Sequence, residues 1–317
     1  MSRTMRILNA GPMMTVQDGG RRGFLRFGVS GSGPMDRDAF EAANALVGNV
    51  PDAAGVEFAL IGGRLSLADE CLIAVTGGDV PVALNGKPIS PWSSWRAPAG
   101  SELEIGAMRS GVWGYIAIGG GVTCPPVMGS RSTHLRSGVG GLEGRVLRTG
   151  DVLPLGSDTG AEPKKLIKPI RLRGGPISLV PGPQDDHFDE DAFSCLFGRE
   201  FQVSQQRDRM AMMLDGPEIH AAGGHDIVSD GTLMGSIQVP PSGRLIVLMA
   251  DRQTTGGFPK IATVASADLG RLVQTPSGKA VRFRAATVEQ AEEMVREATE
   301  MRRSALENLA PNDPLTG

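Results

Sequence analysis

Residues 251 to 262 read DRQTTGGFPKIA, a crowd of Asp251, Arg252, Gln253, Thr254, Thr255 and Lys260 around the pair Gly256-Gly257. The stretch follows directly on the apolar run 245–250. Hydrogen-bond donors beside a backbone without side chains suit an anion or a carbonyl oxygen. Turn amides at Gly256-Gly257 would hold it, with Arg252 and Thr254 or Thr255. The same composition also describes a β-turn with solvated polar side chains. A phosphate loop is excluded, because no GxxxxGK[ST] occurs and Lys260 follows Phe258-Pro259.

A second dense stretch, TVQDGGRRGFLRFGVSGSGPMDRDAF, spans residues 15–40. Gln17, Asp18 and Arg21 suit an amide or carboxylate, since a guanidinium fork matches a planar carboxylate, and Ser32 and Asp36 add further polar groups. An irregular loop capped onto a helix accounts for the same residues, with Asp36 as an ordinary N-terminal acid. Residues 131–151 bring His134, Arg136 and Arg145 among five glycines. GVGGLEG is not a dinucleotide fingerprint, because no helical pattern follows it, so a glycine-rich turn is expected there. The acids around His187 in DDHFDED fall at a helix start, where the macrodipole explains them, and no metal site is expected. No HExxH, no GxSxG and no flanked catalytic thiol occurs.

These residues need a scaffold, and the rest of the sequence describes one. With 317 residues and 40% apolar content the chain can bury a large core. Aromatic content is only 4%, so that core must rest on Val, Leu, Ile, Met and Ala. Short strand patterns dominate: VEFAL, RLSLA, CLIAVTG, PVALNGKPI, SELEIG and VWGYIAIGGG in the first half, then RLRGGPISLV, REFQVS, GSIQVP, RLIVLMA and AVRFRA. Strands so closely spaced argue for sandwiches or barrels rather than a βαβ sheet. Asn85-Gly86 between apolar flanks predicts a hairpin, because both central residues of a type I′ turn need positive φ.

MDRDAFEAANALVGN predicts a helix with Ala39, Phe40, Ala43, Leu46 and Val47 on one face and Gly48 as its stop. DDHFDEDAFSCLFG predicts another. The C-terminal TVEQAEEMVREATEMRRSALENL predicts a long amphipathic helix with Thr287 as N-cap and Gln290 completing a capping box. The polar segment 155–169 reads as a linker, which divides the chain into domains 1–160 and 170–317.

A net charge of −3 with no basic stripe leaves no expectation of a nucleic-acid partner. Cys71, Cys124 and Cys195 lie far apart without a CxxC, which suits a reducing cytosol. No signal-peptide core and no membrane-spanning run is evident, so a cytoplasmic protein without a membrane partner is expected.

Taken together, VQDGGRRG, SGPMDRDAFEAANALVGN, GVGGLEGR, PGPQ, GSIQVPPSGRLIVLMADRQTTGGFPKIATV and ADLGRLVQ closely resemble the family of 5-oxoprolinase C components. That family is also labelled allophanate hydrolase subunit 2 or biotin-dependent carboxyltransferase domain. The resemblance covers residues 5 to 295 and implies a mainly β fold with a few helices, arranged as two cyclophilin-like β-barrel domains. It implies an ATP-dependent hydrolase in a hetero-oligomer: with partner subunits A and B, such a chain opens 5-oxoproline to glutamate. It also implies two alternatives, a biotin-dependent carboxyltransferase and a non-catalytic antagonist of a kinase inhibitor.

Under this resemblance the candidates for stabilising oxyanion charge are Arg21, Arg252, Lys260, Gln238 and the amides near Gly256-Gly257, with Arg209 as a further ligand contact. One departure stands out. Family members commonly read RMGYRLEGP where this chain has RMAMMLDGP, so Ala211, Met212 and Met213 replace Gly, an aromatic and Arg. If the missing Arg contacts substrate, preference for another lactam or amide, or loss of activity, is the expected consequence; a repacked apolar pocket is the alternative.

Overall fold

Alternation builds the first sheets. In Glu102–Ala107, Leu103 and Ile105 are buried while Glu102 and Glu104 face solvent. The computed structural model, which describes residues 3–168, 170 and 174–312, repeats this pattern through a mainly β chain. Pro169, at the end of the segment read as a linker, and residues 171–173, which open the strand expected at RLRGGPISLV, lie outside the described residues. The chain divides into two compact units. The first comprises Met1–Arg22, Ser32–Ile170 and Arg302–Gly317, and the second Gly23–Gly31 and Arg171–Met301.

In the first unit a six-stranded sheet runs in the order Val152–Pro154, Thr4–Ala10, Ile61–Leu67, Glu102–Ala107, Val82–Leu84, Lys87–Ile89. A five-stranded sheet runs Thr15–Gln17, Gly55–Ala59, Ser110–Ile118, Cys71–Asp79, Ser94–Ala97. Met5, Ile7, Leu65 and Leu103 from the one and Val56, Phe58, Ile73 and Ile116 from the other form a single hydrophobic core. The hairpin is where Asn85-Gly86 placed it: Leu84 pairs with Lys87, and both turn residues have positive φ, 52° and 75°.

Helix α1 (Arg37–Leu46) lies on the five-stranded sheet, with Thr76 donating to Ala39 O at 2.7 Å and Phe40 edge-on to Tyr115. All five residues expected on its inner face are buried. Asp36 is its N-cap, accepting from Ala39 N at 3.2 Å, and Gly48 follows its end with φ 74°. The polar segment after Leu155 belongs to this unit as far as it is described, and Lys164–Lys165 pairs with Ala310–Pro311.

The second unit contains a closed barrel of seven strands: Ile177–Pro181, Lys260–Val264, Ser236–Gln238, Ile246–Leu248, Ala211–Asp215, Glu200–Arg207 and Ala280–Ala285. Closure comes from the parallel pairing of Ile177–Pro181 with Ala280–Ala285. Helix α2 (Glu190–Gly198) starts later than DDHFDED suggests, because a 3-10 turn at Asp185–His187 comes first and Asp189 then caps the helix. Helices α3 (Ser266–Val273) and α4 (Val288–Glu307) follow. Thr287 and Gln290 bond reciprocally at the start of α4, Gln290 N to Thr287 Oγ1 at 3.2 Å and Thr287 N to Gln290 Oε1 at 2.9 Å. Among the described residues no helix is long and apolar enough to cross a membrane.

Candidate active site

The strand Ile246–Leu248 leaves the barrel through Met249-Ala250-Asp251, and Asp251 is consumed at once. Its carboxylate takes both arms of Arg209, Nε to Oδ2 at 2.9 Å and Nη2 to Oδ1 at 3.0 Å, and the side chains are 3% and 2% exposed. The backbone repeats the tie, with Asp251 N donating to Arg209 O at 2.7 Å and Met249 N to Met210 O at 2.8 Å. The first polar residues after the strand therefore fix where the chain goes next. Arg252 follows, half-buried, with Nε donating to Thr232 O at 3.2 Å. Burial lowers its pKa, and no carboxylate pairs with it among the described residues.

Just after Asp251 and Arg252 the chain borders a cleft of about 520 Å³, which lies against the face of strands Ala211–Asp215 and Ile246–Leu248 opposite the buried Met212 and Val247. Met210, Ala211, Met213, Ile246, Leu248 and Phe258 give it apolar walls, and Gln238, Gln253, Gly256 and Gly257 give it a polar edge. A backbone carbonyl sets the polarity of that edge. Phe258 O can only accept, so the contact at 3.4 Å must come from Gln238 Nε2. Gln238 Oε1 then accepts from Gln253 Nε2 at 3.2 Å. Gln253 Oε1 is left buried and without a partner among the described residues.

Gly256 makes this packing possible, since a Cβ there would lie 2.4 Å from Gln238 Nε2. Neither glycine of the pair has positive φ, and Thr255–Gly256 is a short strand paired with Asp230–Gly231. The requirement is for close approach rather than for a turn. Arg207 also lines the cleft, but its fork closes on Thr275 O at 2.5 Å and Val273 O at 2.7 Å, the carbonyls at the end of α3. Burial lowers its pKa to about 10.

Lys260 pairs with Gln238 in the barrel ladder at a β-bulge, where the register shifts between Ile237 and Gln238. It is 1% exposed, and its Nζ donates to Asp230 Oδ2 at 2.8 Å. Gln184 completes the group: its Oε1 accepts from Lys260 N at 3.2 Å and its Nε2 donates to Asp230 Oδ2 at 3.2 Å. Chiefly through the Lys260 bond, then the Gln184 and Gly231 N bonds, the Asp230 carboxyl is held below the usual range.

The remaining candidates lie in the first unit and stitch two loops together. Asp18 accepts from Ser130 Oγ at 2.6 Å, Ser132 Oγ at 2.7 Å and Gly20 N at 2.9 Å, and also from Arg131 N. Arg21 donates to Val127 O at 3.0 Å and Ser132 O at 2.7 Å, and is 3% exposed. Gln17 donates to Thr15 Oγ1 and Thr133 O, each at 3.1 Å. The glycines of GVGGLEG let these loops meet: a Cβ at Gly140, where φ is 76°, would sit 2.1 Å from Ser132 O and 2.7 Å from Arg21 Nη2. Ser32 has φ 52° and a buried hydroxyl without a partner among the described residues. Asp36 N donates to Tyr115 Oη at 2.6 Å.

The thirteen sequence candidates thus fall into two sets, one per unit. In the second unit Gln238, Gly256 and Gly257 share the cleft. Lys260 pairs with Gln238 in the ladder, Arg209 is buried against Asp251, and Lys260, Arg209, Arg252, Thr254 and Thr255 are not among the cleft's lining residues. Sequence reasoning did not single out Gln184 and Asp230, although PGPQ and the Asp230-Gly231 turn signal were legible. Ala211 and Met213, two of the three departures from the family pattern, line the cleft.

A family profile described as carboxyltransferase domain, subdomain A and B, matches residues 27–285. The C component of the Escherichia coli K12 5-oxoprolinase is 39% identical over 292 residues, covering 90% of this chain and 93% of the relative. Its counterpart, the 5-oxoprolinase C component of Haemophilus influenzae, is 36% identical and covers 92% of this chain and 94% of its own. The crystal structure of Kluyveromyces lactis urea amidolyase superposes with a TM-score of 0.89 at 28% identity, over 96% of this chain but 20% of that one.

Proposed function

This chain belongs to the carboxyltransferase-domain family, subdomains A and B, and on that premise we propose that it is the C component of an ATP-dependent 5-oxoprolinase. With partner subunits A and B, in the cytoplasm, it opens 5-oxoproline to glutamate. The observation that carries the reading is the cleft against strands Ala211–Asp215 and Ile246–Leu248. Its apolar walls suit a small flat ring, and the linked carboxamides of Gln238 and Gln253 suit a ring amide. The match to two proteins named as 5-oxoprolinase C components, over nearly their whole length, supports the same substrate class.

A lactam resists water because its carbonyl carbon is poorly electrophilic. Ring opening needs donors placed where the carbonyl oxygen gains charge, and one such donor is worth about 10²–10³ in rate. In this chain those donors are the Gln238 carboxamide, which lines the cleft, and the Lys260 ammonium, from the residue paired with Gln238 in the ladder. The chain's own part is to bind and orient the lactam and to keep water off its apolar side.

The cleft does not fit ATP. A triphosphate needs several cations or a cradle of amides, whereas the one cation lining this cleft, Arg207, has its fork on two carbonyls. ATP chemistry is accordingly assigned to a partner protein of the complex. Carboxyl transfer is the second reading, favoured by the superposition on urea amidolyase. The same amide edge suits the ureido oxygen of biotin.

The test is to assemble the chain with candidate A and B subunits and measure glutamate release from 5-oxoproline with and without ATP. ATP-dependent release that requires this chain is expected. Carboxybiotin consumption with an amide acceptor, and no glutamate, would replace the first reading by the second.

A further inference from the structure

Lys260 is a buried charge in the second unit held by an exposed counter-ion. Its side chain is 2% exposed, and its counter-ion is a carboxylate that is 48% exposed. A buried ammonium is costly without an anion, so something must always occupy that place. The occupant here, Asp230, is carried by a surface segment with little core of its own. Val228 is 93% exposed and Leu233 60% exposed.

Few ties hold this segment over the glycine pair. Ile227 N donates to Gly257 O at 2.9 Å, Asp230–Gly231 pairs with Thr255–Gly256, and Thr232 bonds through its backbone to Thr254 O and through its hydroxyl to Gln253 O. A segment with few buried apolar contacts opens at low cost once its anchoring ion pair is replaced. With the Arg252 Nε bond to Thr232 O, these ties land on residues 252 to 257, the stretch that borders the cleft.

We propose that Asp230 is a displaceable stand-in for the ligand: its carboxylate holds Lys260 until an oxyanion of the ligand takes the ammonium, and segment 226–232 is released when that happens. This rests on the cleft being the substrate site and adds its control. Asp230 pairs with Gly256, which lines the cleft and packs against the Gln238 amide, so a ligand whose oxygen contacts that amide is placed to compete with Asp230 for Lys260. Gln184 makes the exchange orderly, because it bonds both Lys260 N and Asp230 and keeps the strand in place when the carboxylate leaves. Asp230 is therefore a positioning residue, acting on substrate through Lys260.

Two measurements test this. In the assembled complex, Asp230→Asn keeps an oxygen for Gly231 N but removes the competing charge. The KM for 5-oxoproline is expected to fall about threefold or more, with kcat changed less. A purely structural Asp230 would leave KM unchanged or raise it, and that result overturns the proposal.

The second measurement needs no variant. Hydrogen exchange of residues 226–232 is followed in the wild-type complex with 5-oxoproline, with its uncharged analogue 5-oxoprolinamide, and with inorganic phosphate. Faster exchange with 5-oxoproline and phosphate, but not with the amide, is expected. Release by phosphate alone supports the displaceable carboxylate and counts against 5-oxoproline as the substrate. Exchange unchanged by either anion refutes the displacement whether or not 5-oxoproline is turned over.

Discussion

Asp251→Ala is the sharpest test of how the strand exit is held. The substitution leaves the Arg209 guanidinium, 2% exposed, without the carboxylate that now receives two of its donors at 2.9 and 3.0 Å. Breaking a buried pair from one side costs about 3–5 kcal/mol, because the remaining charge stays desolvated. For a unit of this size that corresponds to a fall in melting temperature of about 10–20 °C. Replacing both partners, as in Arg209→Met with Asp251→Leu, removes the orphaned charge and should recover most of the loss, to within about 2 kcal/mol of the parent. Urea denaturation followed by circular dichroism measures each variant. The reasoning fails if Asp251→Ala loses less than about 1 kcal/mol, or if the double variant is no more stable than the single one. The double variant also separates duties: an unchanged KM in the assembled complex assigns Arg209 to the scaffold rather than to the ligand.

Tyr115 is the single tyrosine of the chain, so absorbance at alkaline pH reports it alone. Burial, then the nearby Glu57 and Asp36 charges, holds its pKa well above the ordinary value. Its stabilising effect is therefore complete below about pH 10 and lost as pH rises beyond it, and the phenolate signal should appear together with unfolding. A phenolate titrating near pH 10 in the folded chain would contradict its enclosure. Thr287→Ala removes one half of the reciprocal bond at the start of α4 and should cost about 1 kcal/mol by urea denaturation, with activity of the complex intact. Gly256→Ala places a methyl 2.4 Å from Gln238 Nε2 on a backbone that any residue can adopt. It should lower turnover by about tenfold or more while stability changes by less than about 1.5 kcal/mol. Wild-type turnover in that variant would show that the Gln238 amide has no fixed position to lose.

Local signals read well in this sequence. Asn85-Gly86 announced its hairpin because both residues must take positive φ, and few other pairs do so cheaply. The inner face of α1 and the Thr287–Gln290 box were legible because each is decided within one or two turns of chain. The site was legible only as a stretch. DRQTTGGFPKIA announced polar density, but which of its residues meet each other depends on barrel closure.

Arg209 lies 42 positions from Asp251, and Asp230 lies 30 from Lys260, so no spacing rule links them. The Gly256-Gly257 pair suggested an amide cradle. At Gly256 the physical reason is the space that the carboxamide of Gln238 occupies, a residue fixed by a different strand. Gln184 sits in a motif recognisable from its family, yet its role appears only where its amide bridges Lys260 N and Asp230.

The central claim is that the cleft bordered by Gln238 and Gly256 holds the lactam while its carbonyl oxygen gains charge. Gln238→Leu tests it most directly, since it keeps the side chain's bulk and removes the donor. In the assembled complex, with assembly confirmed by gel filtration, kcat/KM for 5-oxoproline should fall by about 10²-fold or more. Glutamate release at the wild-type rate from that variant would contradict the account.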